Sequence, residues 1–504
     1  MILYNTPLIM VLVFLVLTLV LGLYVSTLYV RKKENKFIQY ALGNKQFHTN
    51  TLVVTVLATA FGGGVMMRGI PNVYNIGTHY IISLFAWSIS FGLISLLGLR
   101  MGPFMTHLSV AETIGSVYGK YPRTITALLG ICWSIGIVSI QINVMSSTIV
   151  MCIDSIDPRI VTVPATLILI AYAILGGVRA ITITDILQFA TFTIIIPLLI
   201  KFLFVKTDKS FLGVILFLRK KEDFQFSNMI QFDKKFLKII LNSLGAFLFL
   251  NPSVVHRIYM SSSPIQVHKV FKRVTLFSVI IWGCIISVGL LVFVGNPMLP
   301  VTEIWSYILI DMPAVYKGFV VISLLGMTMS TADSCLHTAA IMVSHDMVET
   351  IRWLKAAPYI HQLRLAKLTV LVVGLLAMIL TLCCPDLFEL SKFVFGYLTS
   401  VFTVTVTSPF ILAVFGFRSS ARTALIGMAT GILVGLVWET WVEPEIGINN
   451  RVISIMANGL AMIAAHYLLP QPPGKGWIGV GQQYKRMKQL IRIFKKHKKS
   501  IDLE

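Results

Sequence analysis

Residues 323–346, SLLGMTMSTADSCLHTAAIMVSHD, place hydroxyl groups and a carboxylate within an otherwise apolar helix. At 3.6 residues per turn, six of these side chains fall on one stripe of the helix, with Asp333 at its edge. The stripe consists of Ser323, Met327, Ser330, Thr331, Ser334 and Thr338. Because a carboxylate near the bilayer centre costs roughly 2.5 to 3.5 kcal/mol on insertion scales, we expect Asp333 to face protein or water. The stripe suits a small ion that prefers oxygen ligands, although hydroxyls bonded to carbonyls one turn earlier would produce the same pattern.

The chain as a whole has the composition of an all-α polytopic membrane protein. Of its 504 residues, 56% are apolar and only 12% are charged. Apolar runs extend from residue 8 to residue 470, which predicts one membrane domain rather than several soluble ones. The net charge of +21 is divided among many loops and a tail, which suits membrane topology better than nucleic-acid binding. Because no HExxH, GxSxG or Walker sequence occurs, we do not expect an enzyme.

Hydropathy predicts about thirteen membrane spans. They cover approximately residues 8–30, 50–74, 78–99, 124–151, 158–176, 183–205, 239–259, 274–295, 317–345, 366–384, 388–415, 421–442 and 452–470. Lys and Arg are concentrated in segments predicted to be cytoplasmic, such as 256–273, apart from one long outer segment, 206–238. This distribution places the N-terminus outside and the C-terminus in the cytoplasm.

Two of the predicted spans are broken. Glycines 62–64 and Pro71 interrupt the second span, and Asn251-Pro252 lies inside the seventh. Proline removes a backbone hydrogen bond and frees carbonyls for other partners. Because the two breaks are five spans apart, the pattern indicates two inverted five-helix repeats with a binding site at their interface, near the midplane.

Five stretches of sequence carry a family resemblance. The most characteristic is MSTADSCLHTAAIMVSHDMVE at 329–349. The others, in order, are YALGNKQF (40–47), LSVAETIGSVYGKYPR (108–123), GGVRAITITDILQF (176–189) and NPSVVHRIYMSSSP (251–264). Together they resemble the sodium:solute symporter family, which includes bacterial sodium/proline, sodium/pantothenate and sodium/sugar symporters. The resemblance covers roughly residues 38 to 415 and implies a LeuT-type 5+5 inverted-repeat core in spans two to eleven.

The resemblance also implies a sodium ion, transported together with the solute, between spans two and nine. Alignment of the GIP turn in the second span with the matching turn of the family implies two of the ligands, the backbone carbonyls of Thr59 and Gly62. The implied ligands are the hydroxyls of Ser330 and Thr331 and the backbone carbonyls of Met327, Thr59 and Gly62. Five neutral oxygens would replace part of the ion's hydration without adding fixed charge, so the site could also release the ion.

Two aspartates are predicted to lie on the path of the sodium ion. Asp185 matches the acidic position of the family's TD-Q pattern, which implies a place near the sodium exit. Asp333 lies at the edge of the polar stripe. Asp185 could instead be the N-cap of span six, and either aspartate could carry protons, so proton coupling is an alternative to sodium coupling.

Arg68 and Asn251 are the predicted solute-binding residues. Arg68 lies six residues beyond Gly62, or ~9 Å outward along a helix, and a guanidinium pairs bidentately with a carboxylate. We therefore favour a solute with a carboxylate, such as an amino acid or a pantothenate-like organic acid, although Arg68 could instead reach the outer interface or pair with an acidic residue of another span. Asn251 keeps the amide of the family's usual Gln. Phe61 replaces the acidic residue of the sodium/proline branch, which weakens the proline assignment.

The predicted organisation has four parts. They are an N-terminal helix with the first cytoplasmic loop (1–37), the transport core (38–415), two further membrane helices (416–470) and a basic cytoplasmic tail (471–504). The predicted function is sodium-coupled import of a small polar solute by a monomer in the cell membrane, in contact with lipid and without nucleic acid. The alternative from another class is a transporter-like solute sensor that works with a separate signalling partner.

Overall fold

The computed structural model describes residues 5–30, 36–153, 156–221, 224, 238, 241–243, 250–350 and 359–478. The basic tail beyond residue 478 lies outside the described residues, as do residues 222–223 and 225–237 of the long outer segment and part of the seventh predicted span. Within the described residues the chain is almost entirely helical. Its one strand pair is antiparallel and joins β1 (Phe417–Arg418) to β2 (Gly476–Trp477).

The helices are, in chain order, α1 (Thr6–Val30), α2 (Lys36–Leu42), α3 (Thr49–Ala60), α4 (Gly63–Ile76), α5 (Thr78–Gly98), α6 (Val110–Tyr118), α7 (Lys120–Val150), α8 (Pro158–Leu175), α9 (Val178–Lys206), α10 (Phe211–Arg219), α11 (Pro252–Met260), α12 (Pro264–Gly295), α13 (Ile304–Leu309), α14 (Ala314–Ile341), α15 (Tyr359–Cys383), α16 (Leu387–Phe393), α17 (Thr399–Val414), α18 (Ala421–Val437), α19 (Glu443–Ile446) and α20 (Arg451–Leu468). π-helical turns follow α14 (Met342–Met347), α16 (Val394–Leu398) and α18 (Trp438–Val442).

Long apolar helices make up most of the described chain. Ten helical stretches are long and apolar enough to cross a membrane, and the bent pair α3–α4 makes an eleventh among the described residues. Helix α8 is a shorter apolar helix, and α11 is the described part of the seventh predicted span. Each predicted span overlaps one of these helices, but the total of thirteen spans and the domain boundaries stay predictions.

Helix α12 begins well before its predicted span, because a polar cap extends it beyond the apolar run. Helix α12 starts at Pro264, ten residues before the predicted span, and the Ser263 hydroxyl accepts a hydrogen bond from the Gln266 amide at 3.2 Å. Serine is a favoured N-cap because it satisfies a backbone amide of the first turn. Hydropathy alone therefore underestimates the helix length at this end.

The break in the second span is a 59° bend between α3 and α4. Gly62 is extended at the break, and the glycines allow a close approach to α14. A Cβ added at Gly63 would lie 2.2 Å from the Thr328 Cγ2, and one added at Gly62 would lie 2.6 Å from the Thr331 Oγ1. Pro71, by contrast, lies inside α4 without ending it, so the prediction that Pro71 also interrupts the span is wrong.

Helix α14 lies at the centre of the bundle. Every residue from Val320 to Ile341 is buried, and the helix packs against α1, α3, α4, α7, α9 and α15. The polar stripe of α14 therefore faces protein, as expected for a carboxylate and several hydroxyls in a membrane helix.

The β1–β2 pair and two hydrogen bonds near it, which we call the clasp, lie at the end of the last helices that is predicted to be cytoplasmic. In it, the Ile478 amide donates to the Gly416 carbonyl at 3.0 Å, next to the β1–β2 pair. The Lys475 Nζ donates to the Val117 carbonyl of α6 at 3.3 Å. The clasp therefore attaches the segment after α20 to the short helix α6.

Candidate ion and solute site

Two hydroxyls of α14 cross to the end of α3, where the helix break leaves carbonyls without helical partners. The Ser330 hydroxyl donates to the carbonyls of Ala58 and Met327, both at 3.0 Å. The Thr331 hydroxyl donates to the carbonyls of Ala58 at 3.3 Å and Thr59 at 3.2 Å. We call these two hydroxyls and three carbonyls the neutral cluster. It brings four of the five implied sodium ligands together.

The fifth implied ligand, Gly62, takes a different position. Its carbonyl accepts the first hydrogen bond of α4, from the Val65 amide at 2.9 Å. The α-carbon of Gly62 packs closely against Thr331, because a Cβ added to it would lie 2.6 Å from the Thr331 Oγ1. The carbonyl that meets both hydroxyls belongs instead to Ala58, which the sequence did not indicate.

Two hydroxyls of α14, that of Thr338 on the stripe and that of Thr328 off it, are satisfied within the helix. The Thr338 hydroxyl donates to the Ser334 carbonyl at 2.8 Å, and the Thr328 hydroxyl to the Leu325 carbonyl at 2.7 Å. These are the local bonds that membrane helices tolerate. The structural explanation of the pattern therefore holds for Thr338, whereas Ser330 and Thr331 reach a second helix.

A charged cluster lies one turn further along the same face of α14. The Nη2 of Arg257, on α11, donates to the Ser334 Oγ at 2.6 Å and to the Thr59 Oγ1 at 3.1 Å. The same nitrogen lies 3.6 Å from the Asp185 Oδ2, which also accepts a hydrogen bond from the Thr55 hydroxyl. The side chains of Arg257 and Asp185 are both fully buried. We call Arg257, Asp185, Asp333, Ser334 and the Thr59 hydroxyl the charged cluster.

Asp185 is not the N-cap of its helix. Helix α9 begins at Val178 after Gly177, so Asp185 lies in the third turn and points into the charged cluster. The N-cap alternative is wrong, because the residues before Asp185 are already helical.

Asp333 is fully buried, and its two carboxylate oxygens have no hydrogen bond among the described residues. It interacts electrostatically with Asp185 and Arg257, and the Tyr172 hydroxyl faces it. The two predicted aspartates therefore share one buried environment with a single guanidinium.

Arg257 is the site residue that the sequence analysis missed. It was counted with a cytoplasmic segment, because it follows the Asn251-Pro252 break by little more than one turn. Helix α11 is instead buried along its whole length. The sequence did contain one indication that this residue is buried, because Arg257 lies inside the NPSVVHRIYM stretch next to an apolar run.

The two predicted solute residues have different surroundings. Arg68 is half-buried, and its Cζ lies 4.5 Å from the centre of the Phe395 ring, in the π turn after α16. Its Nε is buried without a hydrogen bond, and it forms no ion pair with the carboxylates of the described residues. Asn251 is the N-cap of α11, with its Oδ1 accepting from the amides of Ser253 at 2.9 Å and Val254 at 3.2 Å.

Three further side chains surround the α3–α4 break. Phe61 and Trp282 pack with their ring centres 4.9 Å apart, and the Trp282 Nε1 is buried without a partner among the described residues. The Gln141 Oε1 accepts from the Gly64 amide at 3.3 Å. Gln141 could have been noticed as one of two amides, with Asn143, in the apolar fourth span, but no pattern distinguished Trp282.

Ion pairs hold the predicted cytoplasmic end of α14. The Arg123 Nε donates to the Asp346 Oδ1 at 2.9 Å, and the His345 Nε2 lies 3.1 Å from the Glu112 Oε2. Burial raises the pKa of Glu112, but the hydrogen bond and charge of His345 outweigh burial, so this pKa lies below its ordinary value. The Ser109 hydroxyl also donates to the Asp346 Oδ2 at 2.7 Å. Helix α6 and its N-cap are thereby tied to the end of α14.

Comparisons with known proteins place the fold and the family. The family model for the sodium:solute symporter family matches residues 40–431. A solved structure of a Na+-coupled sialic acid symporter, in a substrate-bound outward-open state, is similar with a TM-score of 0.79 at 19% identity, covering 93% of this chain and 99% of that one.

A nucleobase-cation-symport-1 family transporter, in a closed conformation with bromovinylhydantoin bound, is similar with a TM-score of 0.59 at 10% identity, covering 85% of this chain and 95% of that one. Comparison with curated protein sequences gives no match. These likenesses confirm the predicted all-α LeuT-type fold.

Proposed function

Because this chain belongs to the sodium:solute symporter family, and is thus a sodium-coupled membrane transporter rather than an enzyme, we propose that its sodium ion binds in the neutral cluster and that its solute carries a carboxylate. The observation that carries the sodium site is the crossing of the Ser330 and Thr331 hydroxyls from α14 to the carbonyls that end α3.

The chemistry of the neutral cluster supports this site. Sodium is a hard cation, and hard cations take oxygen ligands from hydroxyls, carbonyls and water. Every oxygen in the cluster is neutral. The sodium ion therefore does not have to separate from a fixed negative charge when it leaves the site. The carbonyls of Ala58 and Thr59 come from the end of α3, where no intrahelical donor competes for them.

The environment of Arg68 supports a solute with a carboxylate. A guanidinium inside a membrane protein is costly unless it has a partner, and Arg68 has the Phe395 ring on one side and no carboxylate among the described residues. A carboxylate of the solute would supply that partner through two parallel hydrogen bonds. We therefore propose an amino acid or a pantothenate-like organic acid, with Asn251 as a second solute-binding residue.

We further propose that the protein acts as a monomer in the cell membrane, with its N-terminus outside and its C-terminus in the cytoplasm. The concentration of Lys and Arg in alternate loops and in the tail supports this orientation.

The test is uptake into proteoliposomes that contain the purified full-length protein. Labelled amino acids, organic acids and sugars are offered under an inward sodium gradient, with potassium in the control. We expect a carboxylate-bearing solute to accumulate only with sodium. Accumulation of a neutral sugar alone would overturn the solute assignment, and solute binding without accumulation would favour the alternative of a sensor.

A further inference from the structure

Two buried histidines face each other where α2 meets α11 and α14. The rings of His256, on α11, and His337, on α14, have their centres 5.5 Å apart at an interplanar angle of 73°, and both residues are buried. The Tyr40 ring of α2 packs against His337, with the two ring centres 4.7 Å apart. We call His256 and His337 the imidazole pair. Because α2 belongs to the first segment predicted to be cytoplasmic, the pair lies toward that end of the bundle.

Three of the four ring nitrogens of the imidazole pair have no hydrogen-bond partner among the described residues. They are both nitrogens of His256 and the Nδ1 of His337. The fourth, the His337 Nε2, lies 3.4 Å from the Ala41 carbonyl of α2, which also faces His256. A neutral imidazole carries one donor and one acceptor, and burial of either without a partner is unfavourable. The contact with α2 therefore encloses polar groups that water would satisfy.

The charges around the imidazole pair do not suit a cation while α2 is in place. The groups that act electrostatically on the two rings are each other and Arg257, whose guanidinium is fully buried. Tyr40 is the titratable residue that α2 contributes. Asp185 and Asp333 act on Arg257, and neither ring forms an ion pair with a carboxylate of the described residues. An enclosed imidazolium would therefore lie near a second cation, without a counter-charge of its own.

The turn that joins α2 to α3 is strained. Its residues Gly43, Asn44 and Lys45 all have positive φ angles, of 57°, 55° and 58°. Glycine adopts this left-handed region freely and asparagine tolerates it, but lysine there is unfavourable. The Arg179 Nη2 holds the turn by donating to the Gly43 carbonyl at 2.9 Å. Movement of α2 away from the bundle would therefore relieve strain in this turn as well as admit water to the imidazoles.

We propose that the imidazole pair is a binding site for protons from the cytoplasm, and that occupation of the site releases α2 from α11 and α14. An imidazole in water takes up a proton near pH 6.5. Acid therefore favours the arrangement in which α2 has moved and the rings are hydrated, and the contact with α2 weakens as the pH falls through this value. The inference concerns regulation by acid and does not depend on where the sodium ion or the solute binds.

The test measures the exposure of α2 at two pH values. Hydrogen exchange of the purified full-length protein is followed by mass spectrometry at the amides of residues 36–42, with correction for the intrinsic effect of pH on exchange. Between about pH 8 and about pH 5.5 the protection of these amides should fall roughly tenfold or more, because an exposed imidazole binds a proton with about this preference one unit below its midpoint.

Two variants show whether the imidazole pair causes this response. The double variant His256→Gln with His337→Gln keeps polar side chains that do not titrate, so its α2 protection should be the same at both pH values. His345→Gln is the matched control, because His345 lies just beyond α14 but is paired with Glu112. This control should keep the response of the unmodified protein.

A second measurement needs no purification of the variants. Cys335 is a buried free cysteine of α14, two residues from His337, with its Sγ 3.4 Å from the Ser253 Oγ. In membrane vesicles at about pH 5.5, N-ethylmaleimide should label Cys335 roughly tenfold faster in the unmodified protein than in His256→Gln, and at about pH 8 the two rates should be equal. Comparison at one pH removes the effect of pH on the thiol itself.

Three results would overturn the proposal. The first is protection of α2 that does not change with pH in the unmodified protein. The second is a pH response that persists in the double variant, or equal labelling of Cys335 with and without His256 at the lower pH. The third is exposure of α2 at both pH values in the double variant, which would give the imidazoles a packing role only.

Discussion

The neutral cluster and the charged cluster lie about one helical turn apart on the same face of α14, but they are built in opposite ways. The neutral cluster joins hydroxyls of α14 to carbonyls at a helix end. The charged cluster sets a buried guanidinium against a buried carboxylate. Neutral oxygens can exchange an ion for water, whereas a buried ion pair resists the loss of either member. The comparison teaches that one helix face can combine a set of neutral oxygens with a buried ion pair.

The largest expected effect is that of Asp185→Asn, which breaks the charged cluster. The substitution leaves the Arg257 guanidinium buried without its carboxylate, and removing one partner of a buried pair costs about 3 to 5 kcal/mol. Thermal unfolding of the purified protein should show a large fall in Tm, and sodium-driven uptake should be lost. The exposed Asp208, changed to Asn, is the control and should leave Tm unchanged. An unaltered Tm in Asp185→Asn would mean that the charged cluster does not stabilise the fold.

The next effect tests the close approach that assembles the neutral cluster. In Gly63→Ala, the added methyl would overlap the Thr328 Cγ2, and overpacking of this kind costs about 1 to 3 kcal/mol. Stability and uptake should both fall, and Thr328→Ser should restore part of each because it removes that methyl. Gly283→Ala is the matched control, since an added Cβ there meets no atom within 4 Å. Equal stability of the two alanine variants would show that the contact can relax.

Loss of the hydroxyls of the neutral cluster should act on sodium and not on the fold. Ser330→Ala combined with Thr331→Ala removes two ligands, each worth about 0.5 to 1.5 kcal/mol as a hydrogen-bonding group. The sodium concentration for half-maximal uptake should rise roughly 5- to 150-fold, while the amount of protein in the membrane stays the same. Thr338→Ala, which loses only a bond within α14, should leave the sodium dependence unchanged. If the double variant keeps normal sodium dependence, the ion binds elsewhere.

The smallest expected effect, that of Arg68→Lys, extends the comparison to the solute. Arg68→Lys keeps the charge but loses the planar fork, so KM for the solute should rise roughly tenfold, equivalent to about 1.4 kcal/mol. Arg68→Met should nearly abolish uptake. Arg100, which also lies 4.5 Å over a phenylalanine ring, is the control, and Arg100→Lys should leave KM unchanged. Wild-type affinity in Arg68→Met would remove the argument for a carboxylate.

The two clusters also differ in how far the sequence could predict them. Helical periodicity predicted a polar stripe on α14 and the glycines predicted a break, both of which are local signals, whereas the ligands of the neutral cluster were implied by the family resemblance. The position of the second-span break and the burial of α14 were predicted for the same reason. The carbonyl of Ala58 was not, because any residue type carries a carbonyl and only the geometry of the break selects this one.

The charged cluster depends on contacts between distant parts of the chain. Arg257 and Asp185 are far apart in sequence, and each had a plausible local explanation, one as a loop charge and the other as an N-cap. The two residues pair because α11 is buried inside the bundle. Hydropathy does not indicate this burial, because α11 is short and carries His256 and Arg257. Long-range pairing of buried charges is therefore the part of this site that the sequence alone could not supply.

The clasp made by β1 and β2 connects the segment after α20 to the rest of the helix bundle. Residues 479–504 carry a high density of Lys and Arg, so an anionic surface would pull on them. Any such pull reaches β2 first and then, through the Lys475 bond to Val117, the short helix α6. Because Ser109 and Glu112 tie α6 to the end of α14, tension on the tail is delivered to the helix that carries both clusters.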